Sequence, residues 1–205
     1  MTPTTDTRRI VLVRHGESVS NRNMTITGRS DAALTRNGSR EAKRTSRYIK
    51  RRFGPQTDII LTSPLSRAFD TALCISRSLN VPVSDHDSLM ETDFGRWEGK
   101  TKADLPKEPE WDVYIKDPFH FSFPEGEAVQ EVKRRTLLFK DRLLLREDWN
   151  CAVIVSHYTP IVFFILSAIG NDDAVRSPFK IDNASISVIE IRKGSELVSM
   201  LNYKP

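Results

Sequence analysis

Four short groups of residues carry side chains that can do chemistry. Arg14-His15-Gly16-Glu17-Ser18 follows directly on the apolar run Ile10-Val11-Leu12-Val13, and Ser156-His157 follows directly on the apolar residues 152–155. A lone histidine at a strand end is either a satisfied structural residue or a site residue. Two placed alike, at the ends of two buried strands, can converge on one crevice. A metal centre wants three or four ligands at recognisable spacing, and neighbouring arginines would repel a cation, so no metal site is expected. Arginine beside histidine suits an anion, above all phosphate, through its two-pronged fork. The third group, Thr62-Ser63-Pro64-Leu65-Ser66-Arg67-Ala68, opens a helix, and helix N-termini favour anions; taken alone it reads equally as a capped helix with a solvated arginine. The fourth is Glu91, with Phe94-Gly95-Arg96-Trp97-Glu98-Gly99 close behind. A carboxylate beside an aromatic turn is a candidate proton donor, or simply a surface glutamate.

Something must hold these groups, and the chain supplies an alternating series of elements. Residues 10–13, 58–61 and 152–155 are short, apolar and largely β-branched, which predicts buried strands. Helices are predicted over 38–53, 64–79, 127–145 and 158–169, with Pro64 suited to a first helical turn. Val81-Pro82-Val83 is an extended piece whose proline favours a sheet edge. Residues 185–191 and 197–201 read as a terminal hairpin turning at Lys193-Gly194. Strands alternating with helices give an α/β class: a three-layer α/β/α arrangement with a mostly parallel central sheet. We expect one domain over 1–205, with the proline-rich segment around 100–126 forming a cap or specificity segment over the strand ends.

The motifs, taken in order, resemble the histidine phosphatase superfamily, whose fold is that of the phosphoglycerate mutases. The matching pieces are Arg14-His15-Gly16-Glu17 with Asn21, Thr27-Gly28, Asp31 through Leu34-Thr35 to Gly38, and Ser63-Pro64-Leu65-Ser66-Arg67-Ala68 with Thr71-Ala72. Next come Glu91 through Phe94-Gly95 to Trp97-Glu98-Gly99, then Pro124-Glu125-Gly126-Glu127, Ser156-His157 and Asn183-Ala184-Ser185-Ile186. The resemblance implies that His15 is a nucleophile forming a phosphohistidine, with a neutral ring and a fixed tautomer. It implies that Arg14, Arg67 and His157 hold the phosphoryl oxygens, that Asn21 adds a neutral donor, and that Glu91 protonates the leaving alcohol and then activates water. Thr27 and Gly28 belong to the same phosphate and substrate site. No metal or other cofactor is implied. One departure stands out: the family usually has a small residue after the second histidine, and here it is Tyr158. We expect Tyr158 to point into the following helix as core; the alternative is that it narrows the pocket and selects substrate.

The family includes mutases and phosphatases. Its cofactor-dependent mutases typically carry an arginine directly after the acid glutamate and paired arginines downstream; here Thr92 follows Glu91, and 100–126 holds four lysines and no arginine. The reading is therefore a phosphatase of a small phosphorylated metabolite, similar to the α-ribazole and broad-specificity phosphatases, with a phosphoglycerate mutase as the alternative. Lys100 and Lys102 could meet a second acidic group of the substrate. The aromatics Trp97, Trp111, Tyr114, Phe119, Phe121 and Phe123 form either an apolar wall for the alcohol or the core of the cap.

Composition bounds the rest. With 205 residues, 39% hydrophobic and 28% charged, the chain is a globular type rather than a disordered or collagen-like one. Two cysteines make no disulfide framework, and the polar N-terminus has no apolar core of a signal peptide, so a cytoplasmic protein without membrane attachment is expected. The net charge is +4, and eight of the 31 basic residues crowd positions 36–52. They form a helical stripe that reads as a solvated outer face. A non-catalytic or nucleic-acid-binding module using that stripe is the remaining alternative, but no stacking aromatics accompany it, and no nucleic-acid partner is expected.

Overall fold

The strand that carries His15 has no polar face. Ile10 and Leu12 pack into one hydrophobic cluster, Val11 and Val13 into a second, and all four are buried. A strand with two apolar faces needs a cover on each side. The computed structural model, which describes residues 7–171 and 179–205, shows how that cover is built.

The strands are β1 (Thr7–Arg14), β2 (Thr57–Thr62), β3 (Val83–Asp85), β4 (Cys151–Ser156), β5 (Ile186–Arg192) and β6 (Ser195–Tyr203), in the sheet order β3-β2-β4-β1-β5-β6. From β3 to β1 the strands are parallel; β5 and β6 add antiparallel pairs. A short helix α1 (Val19–Asn23) follows β1. Helices α2 (Arg36–Phe53) and α3 (Ser66–Leu79) bury Ile49, Phe53, Ala68, Ala72 and Ile75 in the cluster with Val11 and Val13. Three more helices follow: α4 (Trp111–Lys116), α5 (Val129–Leu145) and α6 (Tyr158–Ala168). The last two pack on the face of Ile10 and Leu12. The result is the expected three-layer α/β/α arrangement. Among the described residues no helix is long and apolar enough to cross a membrane.

Several boundaries differ from expectation, each for a physical reason. The helix expected from 64 starts at Ser66, so Pro64 lies before its first turn. The residue before a proline is steered away from helical angles, and Ser63 is engaged elsewhere: its N–H bonds the Val155 carbonyl at 3.0 Å. The extended piece expected at 81–83 is shifted to Val83–Asp85, at the sheet edge that its proline suggested. The helix expected from 127 starts at Val129, since the Glu127 backbone is engaged elsewhere: its N–H bonds the Asp93 carbonyl at 2.9 Å and its carbonyl accepts the Phe123 N–H at 3.3 Å. The terminal hairpin turns as expected, with positive φ at Lys193 and Gly194.

Segment 100–126 contains a 3₁₀ turn at Leu105–Lys107 and α4, gathered around Trp97. The rings of Trp97 and Phe123 lie 5.3 Å apart, those of Tyr114 and Phe121 5.3 Å, and those of Phe121 and Phe123 5.0 Å. Edge-to-face contacts at these separations make a small aromatic core. The basic side chains of α2 all face solvent, while Gly38, Ala42, Thr45, Ile49 and Phe53 face inward.

The start of α2 locks the loop after β1. Thr35 caps the helix by accepting the Gly38 N–H at 2.9 Å, and its hydroxyl donates to Glu17 at 2.5 Å. Gly38 then lies so close that a Cβ there would stand 2.0 Å from the Glu17 carbonyl oxygen, a backbone atom. Gly38→Ala should therefore lower stability by about 1–3 kcal/mol, the usual cost of overpacking. Asn37→Ala, one residue away and exposed, should stay within about 0.5 kcal/mol of the parent. Urea denaturation of the two variants would show it, and equal midpoints would refute the close-packing account.

Candidate active site

Pairing of β1 with β4 sets Arg14 opposite Ser156, so the two strands end level. The His15 N–H continues the ladder onto the Ser156 carbonyl at 3.0 Å. His15 and His157 therefore leave the sheet side by side, with ring centroids 5.0 Å apart. β2 ends beside β4, and Ser63 reaches across to His157 Nε2 at 2.8 Å.

His15 is buried at 3% exposure, and its Nδ1 lies 2.8 Å from the Gly16 carbonyl oxygen. A carbonyl only accepts, so Nδ1 carries the proton and Nε2 keeps its lone pair. Gly16 is held in turn by its N–H to the Thr71 hydroxyl at 3.1 Å. Burial, then the charges of Arg14 and Arg67, push the His15 pKa well below the ordinary histidine value. The same causes, burial first, depress His157. Both rings are thereby kept neutral, and a neutral Nε2 is a nucleophile.

The two arginines are fixed by neutral oxygens. Arg14 Nη1 donates to the Ile181 carbonyl at 2.6 Å; Arg67 donates from Nη1 to the Ser30 carbonyl at 3.0 Å and from Nη2 to the Gly28 carbonyl at 2.6 Å. Burial lowers the pKa of both, and Glu91 pulls in the opposite direction. Arg14 Nε is buried with no partner among the described residues. Gly28 adopts φ +54°, and a Cβ there would meet the Glu98 carboxylate at 2.0 Å. Glu98 accepts the N–H groups of Arg29 and Ser30 at 2.8 and 2.9 Å, so this turn is clamped where Arg67 needs its carbonyls.

Glu91 stands at the N-terminus of α6. Its carboxylate accepts the N–H groups of Thr92, Tyr158 and Thr159 at 2.9, 3.1 and 3.3 Å. Asn21 uses its amide oxygen fully, accepting from the Ser18 N–H, the Ser18 hydroxyl and Asn183, so the amide NH₂ is what it has left to offer.

These groups surround a cavity of about 270 Å³. Of the residues singled out from sequence, Arg14, His15, Asn21, Thr27, Gly28, Arg67, Glu91 and Tyr158 line it. His157 does not: it is completely buried beside His15, with Nδ1 unpartnered among the described residues. Tyr158 meets both placements weighed for it: it packs against the larger hydrophobic cluster and also lines the cavity, with the Arg14 guanidinium 5.8 Å from its ring and its hydroxyl 3.3 Å from the Phe179 carbonyl. Of the two lysines considered, Lys100 pairs with Glu108, whereas Lys102 lines the cavity and has no ion pair among the described residues. Among the described residues no cluster of three or more His, Cys, Asp or Glu could hold a metal.

Two contributors carried no sequence signal, and a third was visible only as part of a motif. Thr25 and Ile26 reach the cavity because their loop docks on the strand-like residues after Gly99: Ile26 exchanges backbone bonds with Lys100 and Gly99. Asn183 bonds both the His15 carbonyl at 3.2 Å and Asn21 at 3.0 Å. Its motif before the hairpin was visible, but its partners lie more than 160 positions away in the chain.

Comparison with known proteins fits this geometry. The model of the histidine phosphatase superfamily (branch 1) matches residues 10–204. Phosphoserine phosphatase 1 of Hydrogenobacter thermophilus is 32% identical, over 95% of this chain and 92% of the relative. A bifunctional protein of Mycobacterium tuberculosis is also 32% identical over 95% of this chain, which spans only 53% of that relative. The crystal structure of a putative alpha-ribazole-5'-P phosphatase from Escherichia coli superposes with a TM-score of 0.88 at 28% identity, covering 96% of this chain and 97% of the other.

The depressed histidines give a stability prediction. An unfolded histidine takes up a proton below about pH 6.5, while the folded, depressed ones do not. The unfolded state then binds more protons, and stability falls as pH drops below about 6.5 towards the folded values. Each histidine should contribute a slope of up to about 1.4 kcal/mol per pH unit in that window. Unfolding free energies from pH 7 to 5 should fall less steeply in His157→Gln than in the parent; identical slopes would overturn this account.

Proposed function

The chain belongs to the histidine phosphatase superfamily, and on that premise we propose that it is a metal-independent phosphatase of a small phosphomonoester, working through a phosphohistidine on His15. The observation that carries this reading is the His15 ring: its Nδ1 proton is committed to the Gly16 carbonyl, and the ring lines a cavity that it shares with Arg14, Arg67 and Glu91.

The proposed reaction has two steps. His15 Nε2 attacks phosphorus as the bond from phosphorus to the ester oxygen breaks, and Glu91, as the acid, gives that oxygen a proton. The alcohol leaves, and the phosphoryl group stays on His15. A water then attacks phosphorus while the Glu91 carboxylate takes its proton; the N–P bond breaks, and inorganic phosphate leaves with His15 restored. Charge on the phosphoryl oxygens is met by Arg14 and Arg67, with the amide of Asn21 and the unpartnered Nδ1 of His157 as neutral donors. Phosphoryl transfer depends mainly on such positioned charge. Neutral carbonyls hold the arginines in place without cancelling their charge.

A hydrolase is favoured over a mutase by the charge on the wall. A mutase substrate carries a second acidic group, and the cation left for it in this cavity is Lys102 alone, since Lys100 is paired and Thr92 follows Glu91. The basic stripe of α2 is an exposed row, and the neighbouring Tyr48 ring is engaged by Phe53 and Tyr203 at 6.5 and 4.8 Å.

Purified protein should hydrolyse p-nitrophenyl phosphate in EDTA, and His15→Ala should abolish turnover. Loss of activity in EDTA, or survival of activity in His15→Ala, would refute the reading. Glu91→Gln separates the acid role. On an alkyl phosphate, whose alcohol must leave protonated, kcat should fall by about 10²–10⁴-fold. On p-nitrophenyl phosphate, whose phenolate leaves unaided, the loss should be much smaller. Equal losses on both substrates would remove Glu91 as the acid.

A further inference from the structure

A second cavity, of about 170 Å³, adjoins the first. Its walls include Thr92, Phe94, Tyr114, Phe119, Tyr158 and Val162, and none of its lining residues is charged. Phe94, Tyr114 and Tyr158 line both cavities. The position of this space relative to Glu91 gives it meaning. Thr92 is the next residue in the chain, and Tyr158 and Thr159, whose N–H groups hold the Glu91 carboxylate, are also on its wall. The second cavity therefore shares its wall with the residues that hold the Glu91 carboxylate.

The walls are built of packed rings: Phe94 lies 4.8 Å from Phe123, and Tyr114 lies 5.8 Å from Phe123. Space of this size is enough for a single ring, since an apolar cavity of about 150 Å³ holds benzene.

We propose that this cavity is the subsite for the alcohol half of the substrate, and that it takes an uncharged ring joined to the ester oxygen by a short linker. The inference rests on the phosphatase reading above, because it is protonation by Glu91 that puts the leaving oxygen at the mouth of this space. Acidic substituents are excluded from this side, as the uncharged lining offers them no cation.

Two alkyl esters test it: 2-phenylethyl phosphate and ethyl phosphate, compared by kcat/KM on the unaltered enzyme in EDTA, with p-nitrophenyl phosphate run alongside. Burying a ring of this size should favour the phenylethyl ester by about tenfold or more. In Val162→Phe and, from a different helix, Val129→Phe, which fill the cavity, that ratio should fall towards one. A ratio near one on the unaltered enzyme overturns the subsite, and so does a high ratio that survives both fillings. Hydrolysis of p-nitrophenyl phosphate without either alkyl ester also overturns the subsite, yet leaves the phosphatase reading standing. Failure on all three esters removes the phosphatase reading itself.

Discussion

Two parallel strands that end level, β1 and β4, set the geometry on which everything else in this molecule depends. Their register puts Arg14 opposite Ser156, and the ladder runs one bond further to the His15 N–H. Two imidazole rings then leave the sheet 5.0 Å apart in a place with almost no water. Burial at that spot decides their protonation: each charged ring would lose its hydration and face two guanidinium groups besides. A neutral ring with one nitrogen tied to a carbonyl has a defined lone pair, and that is a consequence of where the strands stop.

The arginines show the same economy. Some arginines elsewhere are neutralised: Arg135 forms a two-pronged pair with Glu127, and Arg134 pairs with Glu131. At the cavity, Arg14 and Arg67 are oriented by the carbonyls of Ile181, Gly28 and Ser30. A carbonyl fixes a guanidinium nearly as well as a carboxylate does, but brings only a dipole. The positive charge stays available, and a dianionic phosphoryl group is what it suits best. The supports are themselves held in place, since Glu98 clamps the turn carrying Gly28, and Asn183 ties the His15 carbonyl to Asn21.

Much of this was legible in the sequence, for reasons of period and position. Buried parallel strands announce themselves as short β-branched runs, and residues just past their ends face the ligand side of the sheet. That singled out His15 and His157; Arg67 stood at an expected helix start and Glu91 beside an aromatic turn, and both took their roles from the family resemblance. What was illegible depended on contacts made late and far away. Whether Lys100 or Lys102 keeps a free charge turns on Glu108 lying beside one of them. The helix start at Ser66 depends on Ser63 being bound to β4 and His157. How deep His157 sits was equally illegible: its ring is completely buried beside His15, with Nδ1 unpartnered among the described residues.

Tyr158 shows how one position can join the two halves of the site. Its N–H holds Glu91, its ring lies beside the Arg14 guanidinium, and its side chain forms wall for both cavities. A small residue here would keep the first of these functions, which is a backbone one, and lose the other two. The side chain is thus free to vary without disturbing the acid, while any change in it alters the partition between phosphate and alcohol spaces. The aromatic core around Trp97 keeps that partition rigid, because Tyr114 is packed against Trp97 and Phe121 on one side and lines both cavities on the other. In the proposed reaction, chemistry therefore rests on strand ends and backbone, and selectivity on side chains anchored in a separate cluster, so the two can change independently.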